Sequence, residues 1–286
     1  MSELQVLATG PLALVQDLGR PGLASQGVGR SGAADRAALR LANRLVANAE
    51  GAAGIEVLFG GLRVRAEDDL VVALAGASGR AELDGTLVGH HAVVRVAAGS
   101  ELSLGTPAAG LRTYLAVRGG IDVTAVLGSR STDTLSGIGP PPLGAGMVLP
   151  VGPAPAAYPT VEHAPVAAPT NDEVLLHAML GPRADWVRNA EQLATTAWTA
   201  SGRSDRVGMR LEGVALERAR EDELPSEGLV RGAVQVPPSG APVLCLADHP
   251  VTGGYPVVAV VLDADVDRAA QVRPGHRVRF ALVRES

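Results

Sequence analysis

The sequence predicts a mainly β protein with two domains. Its 286 residues are enough to form two hydrophobic cores. The 35 Gly and 20 Pro occur at a density typical of short strands joined by tight turns. Aromatic residues make up only 2% of the chain, so the cores must consist of aliphatic side chains. Short strands with few helices are typical of β-barrels and sandwiches.

The first domain is predicted over residues 1–152 and consists mainly of strands. Apolar runs of strand length, separated by Gly, Asp and Ser, occur within 4–16, 55–104 and 112–118. We expect these runs to form a first β-barrel domain.

One helix is predicted in this domain, over residues 32–47. Ser31 is placed to cap the helix, and Asp35 lies in the first turn, where the helix dipole favours an anion. Four residues at helical spacing form an apolar stripe: Ala34, Ala38, Leu41 and Leu45.

A segment rich in Pro and Ala, residues 153–169, is predicted to link the first domain to a second β-barrel domain over 170–286. The second domain is predicted to contain one helix near 185–197 and a shorter helix near 266–272. Its strands include the apolar runs VLCLA, VVAVVL and RVRFALV.

Charge and composition exclude several classes of partner. The net charge is −5 and the basic residues are scattered, so we expect no nucleic-acid binding, which requires a clustered basic face. No apolar run approaches the roughly 20 residues that span a bilayer. The single cysteine, Cys245, lies in an apolar run, which predicts a buried, unreactive thiol and a cytoplasmic location.

The chain contains no lysine. A phosphate-binding loop of the Walker type requires Lys, as does the covalent attachment of biotin or a Schiff base. If ATP or biotin takes part in the function, we therefore expect a partner polypeptide to carry it.

A glycine-rich segment before the predicted helix resembles a dinucleotide-binding fingerprint. Gly27, Gly29 and Gly32 have the GxGxxG spacing, and Glu56 lies in a later strand. A Rossmann site needs a buried strand directly before the glycines, whereas residues 22–26 have the composition of a loop. We therefore expect no Rossmann site. The alternative is a loop whose backbone amides meet an anionic group at the helix start.

Two patterns resemble metal sites but lack necessary ligands. Asp263, Asp265 and Asp267 imitate the start of a calcium loop, but the Gly and Glu needed further on are missing. We expect these carboxylates to lie at a helix N-terminus. His90 and His91 are adjacent in a predicted strand and so point to opposite faces. We predict no metal site.

Three polar loops are candidates for a binding site. Each combines turn glycines with a charged or amide side chain, an arrangement that offers backbone N–H groups to a small polar ligand. The loops are 16–22, 225–228 with the following segment 232–237, and 252–256. Each also has the composition of an ordinary turn.

At these loops the chain resembles a known family. The motifs VQDLGRPG, GVGRSGAADRAALRLANRLVAN, LRTYLAVRGGID, LGSRSTDT, RVGMRLEG, LPSEGLVRGAVQVPPSGAP and TGGYP follow one another in the order typical of the biotin-dependent carboxyltransferase-like family. This family is also called allophanate hydrolase subunit 2, KipA or the 5-oxoprolinase C subunit. The resemblance extends over nearly the whole chain.

The resemblance implies a pair of cyclophilin-like β-barrels and a heteromeric complex. The implied partners are a B subunit of the KipI type, also called allophanate hydrolase subunit 1, and an A subunit similar to amidohydrolases. The implied substrate is a small amide or lactam. In one setting the complex opens the lactam of 5-oxoproline with ATP; in another, a carboxyl group passes from carboxybiotin to urea.

In both reactions a planar amide must be held in place while negative charge develops on its oxygen. Fixed N–H donors and an arginine would stabilise that charge. Arg20 and Arg130 are predicted to hold a carboxylate or phosphate. Asp35 and Glu227 are candidates for proton transfer or for orienting those arginines, and Arg20, Asp35 and Glu227 are the predicted catalytic residues. The predicted substrate-binding residues are Arg130, Ser226, Gln235, Thr252, Gly253, Gly254 and Tyr255.

Three functions are compatible with this interpretation. The first is participation in a heteromeric, ATP-dependent 5-oxoprolinase, which we favour because the chain carries no fused biotin-carrying segment. The second is a carboxyltransferase subunit that acts on urea or a similar amide. The third is a KipA-like protein that binds a kinase inhibitor and catalyses nothing.

Overall fold

The computed structural model describes residues 2–167 and 169–283 and confirms a mainly β chain. The chain forms two compact units. Unit 1 comprises Met1–Arg20, Ser31–Asp133 and Gly137–Thr170, and unit 2 comprises Pro21–Arg30, Thr134–Ser136 and Asn171–Ser286. Two short segments near the predicted loops therefore cluster with unit 2, although they precede it in the sequence.

Unit 1 consists of two antiparallel sheets. The six-stranded sheet has the order β11-β1-β4-β9-β6-β7, and the five-stranded sheet has the order β2-β3-β10-β5-β8. The strands are β1 (Ser2–Thr9), β2 (Leu12–Gln16), β3 (Gly54–Leu58), β4 (Leu62–Ala66), β5 (Leu70–Gly76), β6 (Gly79–Leu83), β7 (Thr86–Leu87), β8 (Val93–Val96), β9 (Glu101–Pro107), β10 (Arg112–Val117) and β11 (Val148–Val151).

The core of unit 1 is aliphatic, as the composition predicts. Val, Leu, Ile and Ala from both sheets form one buried cluster. A second cluster lies where helix α1 (Arg36–Leu45) packs its buried Leu39, Ala42 and Leu45 against alanines of β5 and β10 and against Tyr114. Because this part of the five-stranded sheet is covered on both faces, β10 is buried along its whole length.

Helix α1 is shorter at both ends than the predicted 32–47. Ser31 and Gly32 have φ angles of 54° and 94°, which a helix cannot include. Asp35 is the residue that caps the helix, because its Oδ1 accepts a hydrogen bond from Ala38 N at 2.9 Å. A Cβ at position 32 would lie 2.7 Å from Gly19 N, so glycine there allows the close approach of two chain segments.

The segment predicted as a linker, 153–169, lies within unit 1. Arg118 holds its first part: Nη2 donates to the carbonyl oxygens of Pro155 and Ala157 at 2.5 and 2.7 Å. The same guanidinium lies 4.6 Å from the ring centre of Tyr158.

Unit 2 contains a closed seven-stranded barrel with the order β12-β19-β16-β17-β14-β13-β20. Its core includes Trp198, whose Nε1 donates to Leu193 O at 2.8 Å, and Phe280. A separate two-stranded ribbon pairs β15 with β18. The strands are β12 (Val174–Leu180), β13 (Trp198–Ala200), β14 (Gly208–Glu212), β15 (Glu227–Gly228), β16 (Ala233–Gln235), β17 (Val243–Cys245), β18 (Thr252–Gly253), β19 (Val257–Val261) and β20 (Arg277–Leu282).

The helix predicted over 185–197 is wrong. Two short pieces occupy the region, a 3₁₀ turn at Ala184–Trp186 and α2 (Gln192–Thr195). Between them Val187 forms a β-bridge with Arg218, which is a non-local interaction that overrides the helical pattern. The final helix, α3, is Asp263–Ala269, with Asp263 and Asp265 in its first turn. The interpretation of this acidic run as a helix N-terminus is confirmed.

The sequence analysis considered Glu56, His91 and Cys245 as possible site residues, and the structure gives each of them a structural role or environment instead. Glu56 is buried within β3, and its Oε2 accepts hydrogen bonds from Ala34 N and from the Tyr114 hydroxyl. His91 lies in a turn with φ of 56°, so the strand predicted for the histidine pair begins later, at Val93. Cys245 is buried, and burial raises the pKa of its thiol to about 12, which keeps it protonated and unreactive.

Candidate functional site

Two of the candidate loops meet in unit 2. Strand β15 pairs antiparallel with β18, which places Glu227 opposite Gly253 and Gly228 opposite Thr252. Leu229 N donates to Val251 O at 2.8 Å and extends the ribbon. The sequence segments 225–228 and 252–256 are therefore neighbours, as the hypothesis of a shared site requires.

Gln235 joins this ribbon to the barrel. Its side chain is buried at the end of β16, and its Nε2 donates to Tyr255 O at 3.0 Å. A Cβ at position 253 would lie 2.8 Å from Gln235 Nε2 and 2.8 Å from Leu229 Cδ1. Glycine at 253 thus leaves the space that the Gln235 amide occupies. We call the seven residues Ser226, Glu227, Gln235, Thr252, Gly253, Gly254 and Tyr255 the loop cluster.

The rim of the loop cluster is accessible. Ser226, Thr252, Gly254 and Tyr255 are exposed. Within residues 2–167 and 169–283, no acceptor binds the backbone N–H groups of Gly254 and Tyr255. Adjacent exposed N–H donors beside a fixed amide side chain can bind a carbonyl oxygen and stabilise negative charge that develops on it.

Glu227 is held by an arginine that the sequence did not single out. Arg183 Nε lies 3.0 Å from Glu227 Oε1 and 3.2 Å from Oε2, and Arg183 Nη2 also donates to Oε1. The hydrogen bonds and charge of Arg183 hold the pKa of Glu227 below its ordinary value. An ionised carboxylate can orient an arginine or accept a proton, but it has no proton to donate near neutral pH.

The first candidate loop, 16–22, lies mostly in unit 1. Its hydrogen bonds converge on Asp17. Its carboxylate accepts four hydrogen bonds, from Gly19 N, Ser129 Oγ, Ser131 Oγ and Arg130 N, at 2.5–2.7 Å. These bonds tie the loop to the segment 129–131. Sequence reasoning did not select Asp17, although it directly follows Gln16 in the motif VQDLG.

Arg20 and Arg130 differ in how many of their guanidinium N–H donors are already bonded within the chain. Arg130 Nη2 is paired with Asp122, and its Nε donates to Val123 O at 2.8 Å. Arg20 is only 1% exposed, and its Nη2 donates to Ser131 O at 2.5 Å. No acceptor in the described part of the chain binds Arg20 Nε or Nη1. A buried guanidinium with unused donors is rare in folded proteins.

Asp35 lies in unit 1 and caps α1. In addition to the bond from Ala38 N, its own N–H donates to the Tyr114 hydroxyl at 2.8 Å. Burial, together with the charge of Glu56, raises the pKa of Tyr114 well above its ordinary value. The structure thus gives Asp35 a role in fixing the start of the helix, whereas proton transfer by Asp35 remains a prediction.

No group of His, Cys, Asp and Glu side chains within residues 2–167 and 169–283 is arranged to hold a metal ion. Among the same residues, no helix is long and apolar enough to cross a membrane.

The comparison with protein families gives a clear assignment. The family model described as "Carboxyltransferase domain, subdomain A and B" matches residues 26–282. This chain belongs to that family. The matched region includes the loop cluster, Arg183 and the segment 129–131, whereas Asp17 and Arg20 precede it.

Relatives of similar length support the assignment. The chain is 38% identical to the C subunit of the 5-oxoprolinase of Escherichia coli K12, over 97% of this chain and 90% of that protein. It is 35% identical to the C subunit of the 5-oxoprolinase of Haemophilus influenzae, over 98% of this chain and 91% of that protein.

Solved structures have the same fold as part of longer chains. TTHA0988 superposes with a TM-score of 0.89 at 35% identity, over 98% of this chain and 56% of that one. The urea amidolyase of K. lactis superposes with a TM-score of 0.93 at 30% identity, over 99% of this chain but only 19% of that one. The chain is therefore similar to one segment of these larger proteins.

Proposed function

We propose that the chain is the C subunit of an ATP-dependent 5-oxoprolinase, which opens the lactam ring of 5-oxoproline to form L-glutamate. The observation that carries this proposal is the match to two bacterial proteins of that name along 90% and 91% of their lengths. The match to the urea amidolyase of Saccharomyces cerevisiae covers only 16% of that protein. The chain thus corresponds to nearly the full length of a 5-oxoprolinase subunit, whereas it corresponds to a small part of a urea amidolyase.

The loop cluster supplies chemistry that suits a lactam. When the ring amide is attacked, negative charge develops on its carbonyl oxygen. In this proposal the N–H groups of Gly254 and Tyr255, which no acceptor binds in the described part of the chain, bind that oxygen, and Gln235 holds the Tyr255 carbonyl beside them. Donors that are held in place before a substrate binds stabilise such charge without reorganising.

Other parts of the reaction require partners. The chain has no lysine and so no Walker-type loop for ATP. We propose that a B subunit of the KipI type and an A subunit similar to amidohydrolases complete the enzyme, and that the complex acts in the cytoplasm.

Reconstitution tests the proposal. The purified chain is combined with its two partner subunits, and glutamate released from 5-oxoproline is measured with and without ATP. We expect release only when this chain and ATP are both present. Glutamate released at the same rate without this chain would refute the proposal. Gly254→Val, which places a branched side chain among the exposed donors, should abolish release while the chain keeps its melting temperature.

A carboxyltransferase activity on urea is the second candidate, because the family model describes a carboxyltransferase domain and the K. lactis urea amidolyase shares the fold. In that case biotin would arrive on a partner polypeptide. Carboxylation of urea by the chain with a carboxybiotinylated carrier, in the absence of any 5-oxoproline hydrolysis, would favour this second function.

A further inference from the structure

The guanidinium of Arg183 presents two different edges. Glu227 takes up the edge formed by Nε and Nη2. No acceptor in the described part of the chain binds Nη1, and the Arg183 side chain is 38% exposed. A planar guanidinium carries five N–H donors in a fixed fork, so the edge formed by Nη1 and the second Nη2 hydrogen is free to bind a carboxylate with two parallel bonds.

The backbone fixes this arginine beside the loop cluster. Arg183 N donates to Val257 O at 3.0 Å, two residues after Tyr255. The approach is close because residue 181 is glycine: a Cβ there would lie 2.4 Å from Val257 O. On the other side, Glu227 pairs with Gly253 across the ribbon. The backbone of Arg183 is therefore bonded to β19, and its guanidinium is bonded to Glu227, which pairs with β18. Residues 254 and 255, which carry the free N–H donors, lie between these two strands.

Asp185 is a second carboxylate whose charge acts on Arg183, but it forms no hydrogen bond to the guanidinium in the described part of the chain. Asp185, two residues further along the chain, is bound by Arg220 Nη2 at 2.5 Å. The hydrogen bonds and charge of Glu227, with a smaller contribution from the charge of Asp185, raise the pKa of Arg183, so the arginine is charged at every physiological pH. Glu227 fixes the orientation of the guanidinium and, because it neutralises the net charge, makes recognition depend on directed hydrogen bonds.

We propose that Arg183 binds the carboxylate of the substrate, so that the loop cluster recognises a cyclic amide that carries a carboxylate. This inference rests on the proposed function and identifies the substrate class of the same site. Neutral urea offers no anionic group to the free edge of Arg183. A lactam with a carboxylate on the ring offers both a carbonyl oxygen for the Gly254 and Tyr255 amides and an anion for Arg183.

The test compares two probes that differ only in the carboxylate. 5-Oxo-L-proline and 2-pyrrolidone share the lactam ring, and 2-pyrrolidone has no carboxylate. Binding of each probe to the reconstituted complex is measured by titration, for the unaltered chain, Arg183→Met and Arg183→Lys. Arg188→Met is the matched control, because Arg188 pairs with Glu217 on the exposed surface of the same unit.

We expect Arg183→Met to weaken binding of 5-oxo-L-proline by about 10- to 100-fold, the value of a charge-assisted hydrogen-bonded pair, and to leave binding of 2-pyrrolidone unchanged. Arg183→Lys should recover only part of the loss, because an ammonium cannot form the two parallel bonds. Arg188→Met should leave both affinities unchanged.

Three results would overturn the inference. They are equal binding of the two probes by the unaltered complex, unchanged binding of 5-oxo-L-proline by Arg183→Met, and an equal loss for both probes in Arg183→Met. Turnover separates this inference from the proposed function. A complex that binds 5-oxo-L-proline through Arg183 but releases no glutamate refutes the 5-oxoprolinase proposal and supports the carboxylate site.

Discussion

Arg206 and Asp248 form a buried, two-point ion pair in unit 2. Arg206 Nε lies 2.8 Å from Asp248 Oδ2 and Nη2 lies 2.9 Å from Oδ1, with the side chains 3% and 0% exposed. Asp248 Oδ2 also accepts hydrogen bonds from the backbone N–H and hydroxyl of Thr134. Asp248 therefore holds the start of the short segment 134–136, whose first residue, Thr134, is the last residue of the motif LGSRSTDT.

Asp248→Ala should be among the most destabilising single changes in unit 2. The substitution leaves the Arg206 guanidinium buried without its carboxylate, and breaking such a pair costs about 3–5 kcal/mol. Urea unfolding of the purified chain measures the change in the free energy of unfolding. Glu217→Ala breaks the exposed pair with Arg188 and should change it by less than about 1 kcal/mol.

Arg20→Met provides a contrast with Arg206. Arg20 is also buried, but the acceptor that its side chain binds is the carbonyl oxygen of Ser131, so its removal takes no donor from the Asp17 carboxylate. Replacing a buried charge whose donors are incompletely bonded by an apolar side chain removes a desolvation cost, which offsets the lost hydrogen bond. We expect the free energy of unfolding to stay within about 1 kcal/mol of the original value. A loss as large as that of Asp248→Ala would show that Arg20 stabilises the fold.

Gly253 and Gly254 should respond differently to the same substitution. Gly253→Ala places a Cβ 2.8 Å from Gln235 Nε2 and Leu229 Cδ1, so both side chains must move, at a cost of about 1–3 kcal/mol. At position 254 the nearest atom is Leu224 O at 3.6 Å, an ordinary contact. Gly254→Ala is therefore expected to keep the stability of the original chain. Equal stability of the two variants in urea unfolding would contradict the geometry of the ribbon.

Asp35 can be tested as a helix cap. Asp35→Ala removes the acceptor for Ala38 N and should cost about 1 kcal/mol, whereas Asp35→Ser keeps an acceptor and should cost only a few tenths. Thermal unfolding monitored by circular dichroism gives the order of the variants. If Asp35→Ser is stable but the reconstituted complex is inactive, proton transfer by Asp35 gains support.

The sequence predicts local features of this fold better than its long-range contacts. The apolar runs of β5 and β10 identify buried strands, and the acidic run 263–267 identifies a helix start. The helix near 185–197 fails because Val187 pairs with Arg218, far along the chain. Arg183 was missed for the same reason: its partner Glu227 is 44 residues away, and a lone arginine after Gly-Pro has no motif of its own.

Asp265 should make the stability of unit 2 depend on pH in the acid range. Burial disfavours its ionised form, but hydrogen bonds from the His177 backbone and ring and from Arg268 outweigh burial and lower the pKa of Asp265 below its ordinary value. A carboxylate with a lowered folded-state pKa binds fewer protons in the folded state than in the unfolded state. Its contribution to stability is complete above the unfolded pKa of about 3.9 and is lost as the pH falls through the folded pKa.

Asp265→Asn removes this titration. The difference in melting temperature between the original chain and Asp265→Asn should be constant above about pH 5 and should shrink as the pH falls below about 4. Glu223→Gln, which alters an exposed carboxylate before β15, is the matched control and should show no such trend. A difference that stays constant down to the acid transition would mean that the bonds from His177 and Arg268 do not favour the ionised form of Asp265. These contacts at the start of α3 would then not make the stability of unit 2 depend on pH.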